Sequence, residues 1–191
     1  MRIGVFGGSF DPIHHGHLIV ARWARTALRL DQVRFVLARE QPFKAGTHGA
    51  GPADRLALLE AALAGESGLL ADTCELDRPG PSYTVDTLRQ LRTAFPDDQL
   101  FFLVGADAAR DLPTWREAEW LPSLASVVVM SRPGVAVPRH PMVTDHLIVP
   151  AVDVTAAAIR ARCAAGDSIR DLVPDAVRAL IAQRGMYEER D

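Results

Sequence analysis

Near the start of the chain two histidines follow a pair of glycines, in Gly7-Gly8-Ser9-Phe10-Asp11-Pro12-Ile13-His14-His15-Gly16-His17. After the apolar run Ile3 to Phe6, the glycines let the backbone turn sharply and approach a ligand with no side chain between. His14 and His17, spaced i and i+3, share one face of the first turn of the helix that follows. That turn also carries unpaired N–H groups and the positive end of the helix dipole. Glycines, imidazoles and a helix N-terminus in one loop make a device for holding phosphates, and they point to a nucleotide.

No Gly-Lys-Ser/Thr follows the glycines, so the loop is not a Walker loop, and it is not Gly-x-Gly-x-x-Gly. Two other readings compete. One is a plain strand-to-helix turn with solvated histidines. The other is a zinc site built from His14, His15 and His17, but catalytic zinc takes three protein ligands in a tetrahedral set and no nearby Cys or Glu-x-x-His completes one. The loop as a whole resembles the bacterial nucleotidyltransferase signature Gly-Gly-[Ser/Thr]-Phe-Asp-Pro-x-His-x-Gly-His, met at Gly7, Gly8, Ser9, Phe10, Asp11, Pro12, His14, Gly16 and His17. The resemblance implies that Gly7, Gly8, Ser9 and Phe10 bind ATP and that His14 and His17 act on its phosphates. Asp11 reads as a turn residue.

Further segments extend the likeness. Gly105-Ala106-Asp107 directly follows the apolar run Leu100 to Val104, and a carboxylate there can accept from ribose hydroxyls or cap the next helix. Its match to the family's Gly-x-Asp element favours ATP binding by Gly105 and Asp107. The stretch from there through Trp115 to Arg132-Pro133-Gly134 resembles nicotinate mononucleotide adenylyltransferases, as does Ser82-Tyr83-Thr84-Val85-Asp86-Thr87-Leu88. That resemblance implies that Trp115 stacks on a pyridine ring and that Tyr83, Thr84 and Arg132 bind the mononucleotide. Lys44 of Phe43-Lys44 stands where relatives have a His-Lys pair and could meet phosphate. Ser82 or Thr84 can cap the helix that follows, and Trp120 reads as a core residue.

Near the C-terminus relatives carry Ile-Ser-Ser-Thr-x-Ile-Arg, where this chain reads Val154-Thr155-Ala156-Ala157-Ala158-Ile159-Arg160. The resemblance implies that Thr155, Ile159 and Arg160 bind ATP, with two hydroxyls missing. The helix-turn N–H groups need no side chain, so the anion site can survive that loss.

These residues must be positioned by alternating strands and helices. Strands are expected at Arg2–Phe6, Val33–Ala38, Leu69–Leu76, Leu100–Val104, Ser126–Met130 and Leu147–Val149. Helices are expected at Leu18–Leu30, Ala53–Ala64 and Thr84–Phe95, then across Ala156–Arg184 with breaks at Gly166 and Pro174. The alternation implies an α/β fold, a Rossmann-like doubly wound parallel sheet of nucleotidyltransferase type with a small helical C-terminal part. Ligands then sit beyond the carboxyl ends of the strands, where strand order reverses. The loops 39–52 and 133–146 are candidates for mobility from composition.

At 191 residues, 48% of them hydrophobic, the chain is read as a single domain, 1–191, with a proper core. A net charge of −3 argues against a protein that coats nucleic acid. Cys74 and Cys163 form no CxxC or disulfide framework, which fits a reducing cytoplasm. No apolar stretch is long enough to span a membrane, and no signal peptide is expected.

The reaction expected is transfer of the adenylyl group of ATP to nicotinate mononucleotide, with Mg²⁺ bridging ATP phosphates and no protein metal cage. Phosphopantetheine adenylyltransferase, a glycerol-phosphate-type cytidylyltransferase and a non-catalytic nucleotide-binding regulator are the rivals. The first two share only the opening loop.

Overall fold

Residues 1–40, 49–137 and 140–188 are described by a computed structural model of the chain. In order, the elements are β1 (Arg2–Gly8), α1 (His15–Ala27), β2 (Gln32–Leu37), α2 (Pro52–Leu63), β3 (Leu69–Asp72), α3 (Thr84–Ala94), β4 (Gln99–Gly105), α4 (Ala106–Arg110), α5 (Leu121–Leu124), β5 (Ser126–Ser131), β6 (Asp145–Ile148), α6 (Ala156–Ala164) and α7 (Asp175–Arg184). Short 3-10 turns lie at Leu112–Thr114 and Ala118–Trp120. The six strands form one all-parallel sheet in the order β3-β2-β1-β4-β5-β6.

The central strands bury both faces, which is why they read as unbroken apolar runs. Ile3 and Val5 of β1, Phe102 and Val104 of β4, and Val127 and Val129 of β5 point to one face, against Val85, Leu88 and Leu91 of α3 and Ala106 and Ala109 of α4. Leu103, Val128 and Met130, offset by one residue, point to the other, against α1, α2, α6 and α7. Gly4 is small because the segment after α1 and the neighbouring strands press on β1: a Cβ there would stand 2.8 Å from the Leu30 side chain and 3.2 Å from that of Val33. Strand order reverses between β1 and β4, which end at Gly8 and Gly105. A doubly wound sheet opens its ligand crevice at that point.

Several boundaries differ from the sequence reading. The first helix starts at His15 rather than Leu18, and it ends before Arg29, whose φ of 51° is left-handed. The strand expected to Leu76 stops at Asp72, because the Asp72 carboxylate accepts the Cys74 N–H at 3.0 Å and turns the chain away from the sheet. β6 begins at Asp145, its polar first half lying on an exposed sheet edge where no hydrophobic pattern marks it. The short helices between Ala106 and Leu124 carried no clear period, since Pro113 and Pro122 start new turns there. The expected breaks at Gly166 and Pro174 do separate α6 from α7.

Candidate active site

Gly7 and Gly8 end β1 and line a cavity of about 740 Å³ beyond the strand termini. A Cβ on Gly7 would meet nothing, so its smallness keeps the backbone open to the cavity. Gly8 is small for a different reason: a Cβ there would lie 2.9 Å from the Phe10 ring. Phe10, implied by resemblance to be an ATP contact, is buried at a left-handed φ of 44°. Its ring packs 5.4 Å from Phe35 and meets His17 edge-on at 5.1 Å, so its side chain is the floor of the loop and leaves any ligand contact to its backbone. The Ser9 carbonyl is held by Arg55 Nη1 at 2.9 Å.

His14 caps α1 and His17 lies in its first turn. The rings are stacked, centroids 3.7 Å apart and planes 22° from parallel. His17 Nδ1 accepts the His14 backbone N–H at 3.3 Å. Burial lowers both imidazole pKa values, His14 to about 4 and His17 well below its ordinary value, so both rings are neutral at pH 7. With Nδ1 accepting, the neutral His17 ring is assigned its proton on Nε2, where it can donate. Gly16 completes the arrangement, since a Cβ there would come within 3.0 Å of the His14 Nδ1 and 3.1 Å of Val154. Near-parallel rings at this spacing do not aim their in-plane lone pairs at one cation. Among the described residues no cluster of three or more His, Cys, Asp and Glu fits a metal ion.

Tyr83, Thr84, Trp115, Gly105 and Asp107 line the cavity together with the glycines. Trp115 packs with Phe102, ring centroids 6.2 Å apart, and its buried Nε1 has no hydrogen-bond partner among the described residues. The same holds for the buried Nδ1 of His14. Buried polar atoms are seldom left so; Trp115 lines the cavity, whereas His14 and His17 are not among its lining residues and the His14 Nδ1 lies against Gly16 of α1. The Arg116 guanidinium sits 4.8 Å over the Tyr83 ring and holds it from the solvent side. Trp120, expected in the core, is 54% exposed instead: it ends a 3-10 turn that carries its ring outward. Neither Ser82 nor Thr84 caps α3. Tyr83 occupies the N-cap without a side-chain bond, and the Ser82 hydroxyl accepts the Arg39 N–H at 3.1 Å.

Sequence reasoning missed Glu75, a buried carboxylate on the cavity wall beside Ser82 and Tyr83. It accepts the Thr87 hydroxyl at 2.6 Å, and burial pushes its pKa up. Arg132 is exposed just beyond β5 and is not among the residues lining the cavity. Residues 41–48, including Lys44, lie outside the described residues.

On the opposite face of the sheet, Thr155 caps α6, its hydroxyl accepting the Ala158 N–H at 3.1 Å. Ile159 is fully buried in the core, so its side chain anchors α6 and meets no ligand. Arg160 Nη1 donates to the Asp11 carbonyl at 2.8 Å and lies 4.0 Å from its carboxylate. Asp11 therefore does more than turn the chain. Its buried carboxylate also accepts the N–H groups of Gly49 (2.7 Å) and Ala50 (3.2 Å) and the Tyr187 hydroxyl (2.7 Å).

A second missed residue is Arg55, fully buried at the start of α2. Its guanidinium donates to the carbonyls of Ser9 (2.9 Å), Ala38 (2.8 Å), Arg39 (3.1 Å) and Ala50 (3.3 Å). It fastens the glycine loop to the end of β2. The only sequence signal was one arginine in an otherwise alanine- and leucine-rich helix.

The site thus straddles the sheet: a cavity with aromatic walls on the α3–α4 side, and imidazoles, a capped helix and a guanidinium on the α1–α6 side. Gly7 and Gly8 stand between. Comparison with known proteins places the chain in a family. Residues 5–163 match the cytidylyltransferase-like family. The chain is 48% identical to a probable nicotinate-nucleotide adenylyltransferase of Thermus thermophilus, over 98% of this chain and all of that protein. It is 44% identical to one from Roseiflexus, over 97% of each. In fold it is similar to a Plasmodium falciparum nicotinic acid mononucleotide adenylyltransferase solved with NaAD, with a TM-score of 0.79 at 16% identity over 97% of each chain. The chain belongs to the cytidylyltransferase-like family and, within it, to the nicotinate-nucleotide adenylyltransferases.

Proposed function

We propose that the protein transfers the adenylyl group of ATP to nicotinate mononucleotide, giving nicotinate adenine dinucleotide and pyrophosphate. The observation that carries this reading is the position of Gly7 and Gly8 between an aromatic cavity on one face and a helix-capped, imidazole-bearing anion site on the other. Two substrates entering from the two sides meet at that backbone. The pyridine ring stacks on Trp115, with Tyr83 and the α3 N-terminus at its edge. Gly105 and Asp107 hold the ribose of ATP. Asp107 is well suited, its side chain 83% exposed at the cavity rim with only Arg110 of its own helix, 3.4 Å away, paired to it among the described residues. Arg132 is proposed only as an outer contact to the mononucleotide, and a part for Lys44 rests on the resemblance alone.

The mononucleotide phosphate is mostly dianionic at neutral pH, its second pKa being about 6, so no general base is required. One of its oxygens bonds to the α-phosphorus of ATP as the bond from that phosphorus to the bridging oxygen breaks, and pyrophosphate carries away the electron pair. Catalysis is alignment and charge stabilisation. The neutral His17 Nε2–H and the His14 ring donate to oxygens where negative charge develops. The free N–H groups of Ala156 and Ala157, with Arg160, receive the β- and γ-phosphates.

Mg²⁺ would fit as an ion carried by the phosphates, since the carboxylate of the loop itself, Asp11, is engaged by Gly49, Ala50 and Tyr187. When bound it neutralises phosphate charge. The test is pyrophosphate release from ATP with nicotinate mononucleotide, its amide analogue and phosphopantetheine in parallel. Release with the first far above the third supports the reading. Preference for phosphopantetheine, or no release with any of them, overturns it.

A further inference from the structure

The C-terminal tail reaches back to the phosphate loop through one residue. Tyr187 follows α7 and places its hydroxyl 2.7 Å from Asp11 Oδ1, across 176 positions of sequence. Its φ of 65° is left-handed, which side-chain-bearing residues rarely adopt and which persists where surrounding contacts impose it. The ring meets the backbone at Gly49, where a Cβ would stand 2.9 Å from Tyr187 Cδ1 and 2.7 Å from Arg160 Cδ. Gly49 is thus pressed between the tyrosine ring and the arginine stem. The Gly49 N–H completes the square by donating to Asp11 Oδ2 at 2.7 Å.

With Oδ1 held by Tyr187, Oδ2 faces Gly49 and Arg160, and the Arg160 guanidinium is drawn to the Asp11 carbonyl. Arg55 lies close enough to feel the Asp11 charge. Among the described residues two guanidiniums, those of Arg55 and Arg160, thus lie near the Asp11 carboxylate beside the glycine loop. Left free, an arginine loses much rotamer entropy on grasping a phosphate, and an arginine already fixed loses less.

We propose that Tyr187 is a positioning residue for ATP: by fixing Asp11 it sets the Arg160 guanidinium where the triphosphate arrives. The claim rests on the adenylyl-transfer reading for the identity of the ligand, and on this chain's own contacts for the device. Burial and the bond to Asp11 raise the Tyr187 pKa far above the usual range of tyrosine, so the hydroxyl remains a donor throughout neutral and alkaline pH.

Tyr187→Phe keeps the ring and removes only the hydroxyl. Calorimetric titration of the full chain with magnesium ATP, and separately with nicotinate mononucleotide, reads the effect without turnover. Tyr187→Phe should weaken ATP by about five- to tenfold, the scale of one ordinary hydrogen bond felt through Asp11 and Arg160, and leave the mononucleotide within about twofold. In an Arg160→Gln background the same change should weaken ATP no further. An unchanged ATP affinity, an equal loss for both ligands, or a full further loss in the Arg160→Gln background each overturns the proposal. Pyrophosphate release by the unaltered protein is measured beside these titrations. A protein that binds ATP and releases none overturns the transfer reading, while the affinities still decide the role of Tyr187.

Discussion

The imidazoles of His14 and His17 lie face to face at 3.7 Å, and the backbone N–H of the first is bonded to Nδ1 of the second. Two cations would not stack so closely in a buried setting, and the lowered pKa of each ring agrees with this. The pair is a neutral donor set, and the helix that carries it fixes the tautomer of His17. Replacing His17 by Ala should cut turnover by about two to three orders of magnitude, as for loss of one transition-state donor. His17→Asn, which keeps an amide donor near the same place, should recover part of the loss. Steady-state kinetics decides, and near-normal turnover in His17→Ala would remove its assigned role.

Neutral burial of His14 also makes stability depend on pH. Its folded-state pKa of about 4 lies below the ordinary 6.5, so the unfolded chain binds more protons in that interval and stability rises with pH across it. The contribution is fully present above about 6.5 and is lost as pH falls toward 4. At about 1.4 kcal/mol per unit of pKa, it is on the order of 3 kcal/mol. Denaturant midpoints from pH 7 to pH 4 should fall more steeply for the unaltered protein than for His14→Gln. Parallel curves would show that the ring is solvated.

Much of this site was legible in the sequence because its parts are local. Gly7 to His17 is one loop, and the spacing of its histidines reflects the first turn of α1. The alternation of strand and helix was legible because β1, β4 and β5 bury both faces and so lack polar positions. What the sequence hid is what distant segments make together. Arg55 is buried by carbonyls from Ser9, Ala38, Arg39 and Ala50, and Asp11 by partners at 49, 50, 160 and 187. Neither set has a local period. Phe10 and Ile159 sit inside matching motifs yet face the core, since a motif records which positions matter and leaves open whether they touch ligand or scaffold.

Arg55 is the scaffold residue whose loss should be felt most. Removing the guanidinium leaves four carbonyls without this donor, three of them on the glycine loop and the end of β2. Arg55→Met should lower unfolding free energy by about 3–5 kcal/mol, the range for breaking a buried charged network. Arg55→Lys should recover only part, because an ammonium cannot span four acceptors set for a planar fork. Urea denaturation provides the measurement. A loss under about 1 kcal/mol would mean that water replaces the guanidinium at little cost.

The two tryptophans give the sharpest contrast between cavity and surface. Trp115 lines the cavity with its indole N–H buried and unpartnered among the described residues, and Trp120, five positions on, is more than half exposed. If Trp115 stacks on the pyridine ring, Trp115→Ala should raise KM for nicotinate mononucleotide by about tenfold or more, because a stacked ring contributes about 1–3 kcal/mol, and change KM for ATP little. Trp120→Ala should change neither. Trp115→Phe restores a flat ring and should recover most of the affinity, which a role in packing against Phe102 also permits. The decisive quantity is therefore the ratio of the two KM changes in Trp115→Ala. Equal increases would assign Trp115 to the core around Phe102 and leave Tyr83, under the guanidinium of Arg116, as the aromatic wall of the cavity.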